Sequence, residues 1–93
     1  MHEMGVASSV LEAVHKELHR YPGHRAAKVA VRIGEFAGVD PASLQFCFEA
    51  LVKGTEYEPL ELLVEWCPAG EGRRGDELDL AYVELEDSVE AVA

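Results

Sequence analysis

The chain has 93 residues, 48% of them hydrophobic, so it is long enough for one domain with a modest core. Its formal charge is -10, from 18 acidic and 8 basic residues, and no segment gathers Lys or Arg into a stripe that could follow phosphates. Nucleic acid is therefore not an expected partner. No apolar run approaches the roughly 20 residues that a membrane helix needs, and Glu3 stands where a signal peptide would be basic. We expect a cytoplasmic protein that does not engage a membrane.

The first helix is expected to begin near Ser8, because apolar residues from Val10 to Tyr21 recur on one helical face. Ser8 or Ser9 is the expected cap, with Glu12 reaching back to it. The stretch YPGH then ends this helix.

The segment AKVAVRIGE alternates in the way of a strand with one buried face. The next segment predicts a second helix, with Asp40 as N-cap, Pro41 at the first helical position and Gly54 as its stop. An apolar stripe lies between these signals.

Two further strands are expected, from LELLVEW and ELDLAYVELE. The second changes its hydrophobic phase, which predicts a bulge near Ala81 or Tyr82. Residues 67–76 form a Gly-rich turn between them, of a length that suits an antiparallel hairpin. The order α-β-α-β-β predicts an α+β fold in two layers, with two helices packed on one face of a three-stranded sheet.

Motifs for catalysis are missing from the chain. RIGEFAGVD has neither the spacing nor the lysine of a phosphate loop, and neither Cys47 nor Cys67 has an obvious base beside it. Cys47 belongs to an apolar helical stripe, which favours a place in the core. The two cysteines lack C-x-x-C spacing and cannot build a zinc site alone. We therefore do not expect an enzyme.

The opening tripeptide Met1-His2-Glu3 has the geometry of a chelate. The amine of Met1, the backbone nitrogen of His2 and its imidazole can close small adjacent rings on one cation, and the backbone nitrogen of Glu3 can fill a fourth position. Planar nitrogen sites suit Ni(II) or Cu(II) better than Zn(II), which prefers a tetrahedron. The alternative is that His2 is an ordinary terminal side chain.

His15 and His19 form a second candidate, because residues four apart on a helix lie on the same face. Lys16 and Arg20 are interleaved with them, which is typical of an ordinary solvated face. Both interpretations of this pair stay open. His24 has no evident partner.

The start MHEMGVASSVLEAV, the segment KVAVRIGEFAGVDPASLQFCFEALVKGT and the ending ELDLAYVELED together resemble the HypA-type proteins. These are nickel metallochaperones that help to mature NiFe-hydrogenases. The resemblance covers nearly the whole chain. It implies a site for exchangeable Ni(II) in which the His2 side chain is a ligand and the terminal backbone nitrogens, including those of Met1 and Glu3, complete the set.

The resemblance also implies partners and an architecture. A HypB-type GTPase would dock near His2, and the large subunit of a NiFe-hydrogenase would receive the nickel. Two helices on a three-stranded sheet are the implied fold, which agrees with the element order above. The chain itself is expected to be a monomer or a weak dimer.

Residues 67–76 depart from the family pattern. HypA-type proteins carry a zinc domain between their second and third strands, with two paired-cysteine motifs, whereas this chain has only WCPAGEGRRGDEL there. Residues 1–93 are therefore expected to form a single HypA-like nickel-binding domain without zinc. The side chains expected to supply stability in its place are Phe48, Leu62, Val64, Trp66 and Leu80.

Two functions remain to be weighed. The first is a nickel chaperone that holds Ni(II) through His2 and releases it to a partner. The second is a metal-independent interaction module that binds the HypB-type GTPase or the hydrogenase large-subunit precursor through its acidic surface. Only the first requires His2. The donor set cannot by itself select nickel, because Cu(II) binds nitrogen sites more tightly. Selectivity for nickel would have to come from the partner and from metal availability.

Overall fold

The computed structural model describes residues 2–88, and over that range the chain forms two helices and a three-stranded mixed sheet. The elements in chain order are α1 (Glu3–His19), β1 (His24–Gly34), α2 (Pro41–Val52), β2 (Glu61–Cys67) and β3 (Leu78–Asp87). The predicted α+β class and the order α-β-α-β-β are confirmed. Within the described range, neither helix is long and apolar enough to cross a membrane.

Helix α1 begins at Glu3, with His2 as its N-cap, and the prediction that it begins near Ser8 is wrong. The cause is Ala7, which is fully buried and extends the apolar stripe one turn ahead of Val10. An alanine gives a weak hydrophobic signal in the sequence even where it faces a core. Both serines of the predicted cap are exposed positions inside the helix.

Helix α2 has the predicted start, with Asp40 as N-cap and Pro41 as the first helical residue. Proline is suited to that position because its missing N–H would have no helical acceptor. Gly54 follows the helix with a φ of 76°, a left-handed conformation that glycine adopts without strain. Between these ends the helix turns Phe48 fully into the core.

Strand β1 lies at the centre of the sheet, paired in parallel with β2 and antiparallel with β3. The predicted hairpin between β2 and β3 is therefore wrong, because each of them pairs with β1 in the described part of the chain. Helix α2 supplies the crossover that the parallel pair needs. Val29, Val31 and Ile33 are buried along β1, on the one face that the alternating sequence predicted to be buried.

Strand β3 contains the predicted bulge. Ala30 of β1 pairs with Tyr82, whereas the next residue, Val31, pairs with Leu80, so the register skips Ala81. This position is where the hydrophobic phase of the sequence changes, and the prediction is confirmed. An extra residue in one strand restores the inward direction of the apolar side chains on the other side of the bulge.

Residues 68–77 connect β2 to β3 by crossing the end of β1. The backbone N–H of Gly34 donates to the carbonyl oxygen of Glu77 over 2.8 Å, and that of Phe36 donates to the carbonyl oxygen of Gly75 over 2.6 Å. The connection is thus fixed to the strand that it crosses. Its length permitted either a hairpin or this crossing, and the central position of β1 selects the crossing.

The core lies between the helices and one face of the sheet. Of the side chains expected to replace the contribution of zinc, Phe48 and Leu62 are buried and Val64 is partly buried. The expectation is wrong for Trp66, which is 49% exposed, and for Leu80, which is 39% exposed. Both lie on edge strands, where the helices cover the sheet incompletely.

Candidate metal-binding site

His2 occupies the N-cap of α1 in an extended conformation, with φ of -87° and ψ of 100°. Its carbonyl oxygen accepts the N–H of Val6 over 3.1 Å, which closes the first turn of the helix. The side chain is exposed and makes no capping hydrogen bond. The imidazole is therefore accessible to a metal ion from solvent.

The backbone nitrogen of Glu3 is the first of the helix proper. N–H groups in the first turn have no carbonyl acceptor within their own helix. A metal ion that replaces the amide proton of Glu3 would therefore break no helical hydrogen bond. The positions of His2 and Glu3 are compatible with the chelate hypothesis, which stays a prediction, and Met1, the third predicted residue, lies outside the described residues.

The side chain of Glu3 has a different role from its backbone. Its Oε2 atom accepts a hydrogen bond from the backbone N–H of Asp40 over 3.1 Å. This bond to the charged form is the main reason that the pKa of the Glu3 carboxyl lies below its ordinary value. The carboxylate fastens the start of α1 to the start of α2.

Asp40 was predicted only as a helix cap, and its contact with Glu3 has no signal in the sequence. Its Oδ2 atom accepts the hydroxyl of Ser43 over 2.6 Å, which lowers the pKa of the Asp40 carboxyl. Residues 37 positions apart are joined here, so no local spacing could have revealed the neighbour. Acidic first-turn residues such as Glu3 are a general sign of a helix start.

The charges around His2 act in opposite directions on a cation. A helix N-terminus carries about half a positive elementary charge, which disfavours a bound cation. The carboxylates of Glu3 and Asp40 lie near the starts of the two helices and offset part of that charge.

The histidine pair of α1 is brought together by the helix. His15 Nε2 and His19 Nε2 are 3.1 Å apart, and the hydroxyl of Tyr57 lies 2.5 Å from His15 Nδ1. Sequence reasoning identified the pair but missed Tyr57, which belongs to the turn after α2. The rise of a helix places His15 about 20 Å from His2, so the two locations are separate.

Cys47 and Cys67 are free and partly buried. Within residues 2–88, no three side chains among His, Cys, Asp and Glu come together as ligands for a metal ion. The amino-terminal site hypothesis is compatible with this finding because it relies on one imidazole and on backbone nitrogens.

The fold and these donors define a small α+β domain with a candidate nitrogen-donor site at the start of its first helix. The family model described as "Hydrogenase/urease nickel incorporation, metallochaperone, hypA" matches residues 1–72. The chain belongs to this HypA family. This match confirms the resemblance seen in the sequence. The family consists of metallochaperones and not of enzymes, in agreement with the absence of catalytic motifs in the sequence.

Three curated relatives, each named "Hydrogenase maturation factor HypA", illustrate the similarity. The protein of Chlorobaculum tepidum is 42% identical over 73 residues, covering 78% of this chain and 64% of the relative. That of Chlorobium limicola is 42% identical over 65 residues, covering 70% and 56%. That of Geobacter sp. strain M21 is 42% identical over 78 residues, covering 77% and 68%. The chain thus spans less than two thirds of the length of the first two.

Proposed function

We propose that this chain is a nickel-binding metallochaperone module that holds Ni(II) at His2 and passes it on during maturation of a NiFe-hydrogenase. The observation that carries the proposal is the exposed imidazole of His2 immediately ahead of a backbone nitrogen, that of Glu3, with no helical acceptor. The proposed donors are the amine of Met1, the backbone nitrogen and imidazole of His2, and the backbone nitrogen of Glu3. Membership of the HypA family supports nickel as the cargo.

Weak binding suits delivery, because a donor that holds its ion too tightly cannot release it. The positive end of α1 contributes to such weakness, while the carboxylates of Glu3 and Asp40 keep the site from repelling the ion. Imidazole binds metal in its neutral form, so protons compete with Ni(II) for this site. A partner whose ligands compete for the Ni(II) ion can then take it from the amino-terminal nitrogens.

The proposed partners follow from the family. A HypB-type GTPase would dock near the start of α1, and the large subunit of a NiFe-hydrogenase would receive the ion. Both contacts would involve His2 and the adjoining surface of α2, because the Glu3–Asp40 hydrogen bond holds the two helix starts together. Docking there would bring the acceptor directly to the cargo.

We further propose that this module works without a zinc domain. Residues 68–77 make a short connection fixed to the end of β1, and Cys67 has only Cys47 as a second cysteine in the whole sequence. A structural zinc site needs about four ligands. Stability would come from the core and from the sheet, and the whole of residues 1–93 would act as one nickel-binding domain.

A metal-independent interaction module is the alternative function. Exposed aromatic side chains favour it, because such side chains are enriched at protein interfaces: Phe46 is 74% exposed, Phe36 68% and Trp66 49%. In that case the HypB-type GTPase or the hydrogenase precursor would bind without nickel. His2 could then be replaced with no loss of function.

The test is a calorimetric titration with Ni(II) at pH 7.5, using protein with its native Met1 and no amino-terminal tag, because a tag would block the amine. The His2→Ala variant is compared with His24→Ala, which removes an exposed histidine at the start of β1. We expect one equivalent of Ni(II) bound at micromolar or lower concentration. That binding, identified by the absorption of planar Ni(II), should disappear in His2→Ala and persist in His24→Ala.

Equal Ni(II) binding in the parent and in His2→Ala, or none in either, would contradict the chaperone proposal and favour the interaction module. If Ni(II) binding depends on His2 as expected, the titrated protein should also show the absorption band of planar Ni(II) bound by the amino-terminal nitrogens. Loss of binding in both histidine variants would show that histidine content, and not the amino-terminal chelate, determines the affinity.

A further inference from the structure

The histidine pair on α1 brings two ring nitrogen atoms close together. His15 and His19 are both exposed, and their rings meet edge to face with centroids 4.7 Å apart. The two Nε2 atoms face each other at 3.1 Å. Nitrogen atoms at this distance share one proton, since one ring must donate it and the other must accept it.

This separation is also the distance between two ligands of one metal ion. Zn–N bonds of roughly 2.0–2.1 Å place two tetrahedral ligands about 3.3–3.4 Å apart and two ligands at a right angle about 2.9 Å apart. The observed 3.1 Å lies between these values. The two nitrogens are therefore spaced as two ligands of one divalent ion are. The ion can take the place of the shared proton once the rings of His15 and His19 tilt so that both lone pairs point at it, while that proton moves to Nδ1 of His19.

Tyr57 provides the support that metal-binding histidines usually have. Its hydroxyl lies 2.5 Å from Nδ1 of His15, so it can accept the Nδ1–H and leave the lone pair on Nε2. The tyrosine is itself held, because its N–H donates to Thr55 Oγ1 over 3.2 Å and its ring packs against the core.

We propose that His15 and His19 form a second metal-binding site, which takes a divalent transition-metal ion of the Zn(II) class, with Tyr57 as the positioning residue. Two imidazoles hold the ion and water fills the remaining positions, so the ion exchanges readily. The site is independent of the nickel site proposed at His2, since about 20 Å of helical rise separates the two. Its donors are side chains, whereas those of the amino-terminal site are mainly backbone nitrogens.

The experiment is a calorimetric titration of the full chain with Zn(II), in a His2→Ala parent that lacks the amino-terminal imidazole. Zinc is the probe because it prefers a tetrahedron and not the planar nitrogen arrangement. His15→Ala and His19→Ala are each added to this parent, with His24→Ala as the matched control. All three side chains are exposed, and far-UV circular dichroism verifies that each variant is folded.

We expect one equivalent of Zn(II) in the parent and in His24→Ala, and at least a tenfold weaker affinity in both His15→Ala and His19→Ala. Tyr57→Phe should weaken binding by about tenfold, the usual effect of removing an outer hydrogen bond to a metal-bound histidine. In NMR spectra, the imidazole signals of His15 and His19 should shift together, with His15 keeping its proton on Nδ1.

No zinc binding in the parent would overturn the proposal, and so would an affinity that depends on only one of the two histidines. An unchanged affinity in Tyr57→Phe would overturn the role of the tyrosine. Because nickel binding at His2 is measured separately, failure of one site does not imply failure of the other.

Discussion

The carboxylate of Glu3 accepts a hydrogen bond from the backbone N–H of Asp40, with 3.1 Å between Oε2 and the nitrogen. This bond joins the first turn of α1 to the N-cap of α2. The residue that donates a backbone nitrogen to the proposed nickel site thereby also fixes the direction in which α1 begins. Its side chain and its backbone can be tested separately.

Glu3→Gln should lower the urea midpoint of unfolding at pH 7, because a hydrogen bond to a charged acceptor becomes one to a neutral acceptor. The pKa of Glu3 in the folded protein is below its ordinary value of 4.5, so the contact contributes fully above that value. The contribution is lost as the pH falls through the lower folded-state pKa. The gap between parent and variant should therefore narrow as the pH is taken below 4.5.

The control is Glu49→Gln, which changes an exposed glutamate of α2. Its urea midpoint should follow that of the parent at every pH. Because the Glu3→Gln substitution leaves the backbone nitrogen in place, that variant should bind Ni(II) within a few-fold of the parent. A complete loss of nickel binding would instead make the carboxylate a ligand.

Phe48→Ala should destabilise the fold by about 3–5 kcal/mol, the usual cost of emptying a buried aromatic site. Phe48 is fully buried, whereas Phe46, two residues earlier on the same helix, is 74% exposed. Phe46→Ala should therefore change the free energy of unfolding by less than about 0.5 kcal/mol. Urea denaturation followed by circular dichroism measures both, and similar losses in the two variants would contradict the orientation of α2.

Gly34→Ala should destabilise the sheet by at least about 1–3 kcal/mol, the cost of overpacking. A methyl group at Gly34 would collide with the backbone carbonyl of Gly75, which crosses the end of β1. The comparison is Gly5→Ala in α1, where the nearest atom would be His2 Cβ at an ordinary 3.9 Å. That variant should gain up to about 1 kcal/mol from helix propensity. Thermal unfolding of both variants should shift in opposite directions.

Arg32→Met tests the charged face of the sheet, which is opposite the core. Arg32 on β1 lies 2.6 Å from Asp79 of β3 and 3.8 Å from Glu65 of β2, with its side chain 42% exposed. Ion pairs this exposed are worth at most about 1 kcal/mol, so the variant should lose little of its free energy of unfolding. This loss should shrink further in high salt, where screening acts over about 3 Å at 1 M. Urea unfolding of the parent and of Arg32→Met at low and high salt tests this prediction. A decrease in the free energy of unfolding above about 2 kcal/mol would contradict it.

Rules that act within one turn could be read from the sequence. Asp40 followed by Pro41 placed the start of α2, and the change of hydrophobic phase predicted a bulge near Ala81 or Tyr82, which the structure has at Ala81. The same rules failed at the start of α1, because buried Ala7 looks neutral in a sequence. Local reasoning succeeds where the signal is a side chain with a strong preference of its own.

Contacts between distant segments could not be read. The chelate hypothesis needed only neighbours, His2 and Glu3, but the partners Asp40 and Tyr57 lie 37 and 42 residues from the groups they contact. The sheet order failed for a related reason, since the length of a connection does not say whether it joins adjacent strands. Only the competition among strands for the central position decides that.

The connection between β2 and β3 has a fixed base and a separate tip. At the base, Glu35 donates its N–H to the carbonyl oxygen of Cys67 over 3.0 Å; at the tip, Gly70 and Arg73 exchange backbone hydrogen bonds of 3.1 and 2.9 Å. Doubling the length of a flexible loop costs only about 0.6 kcal/mol. We therefore expect that a further folded unit can be inserted between Gly70 and Arg73 while the strands keep their register and α1 keeps its place.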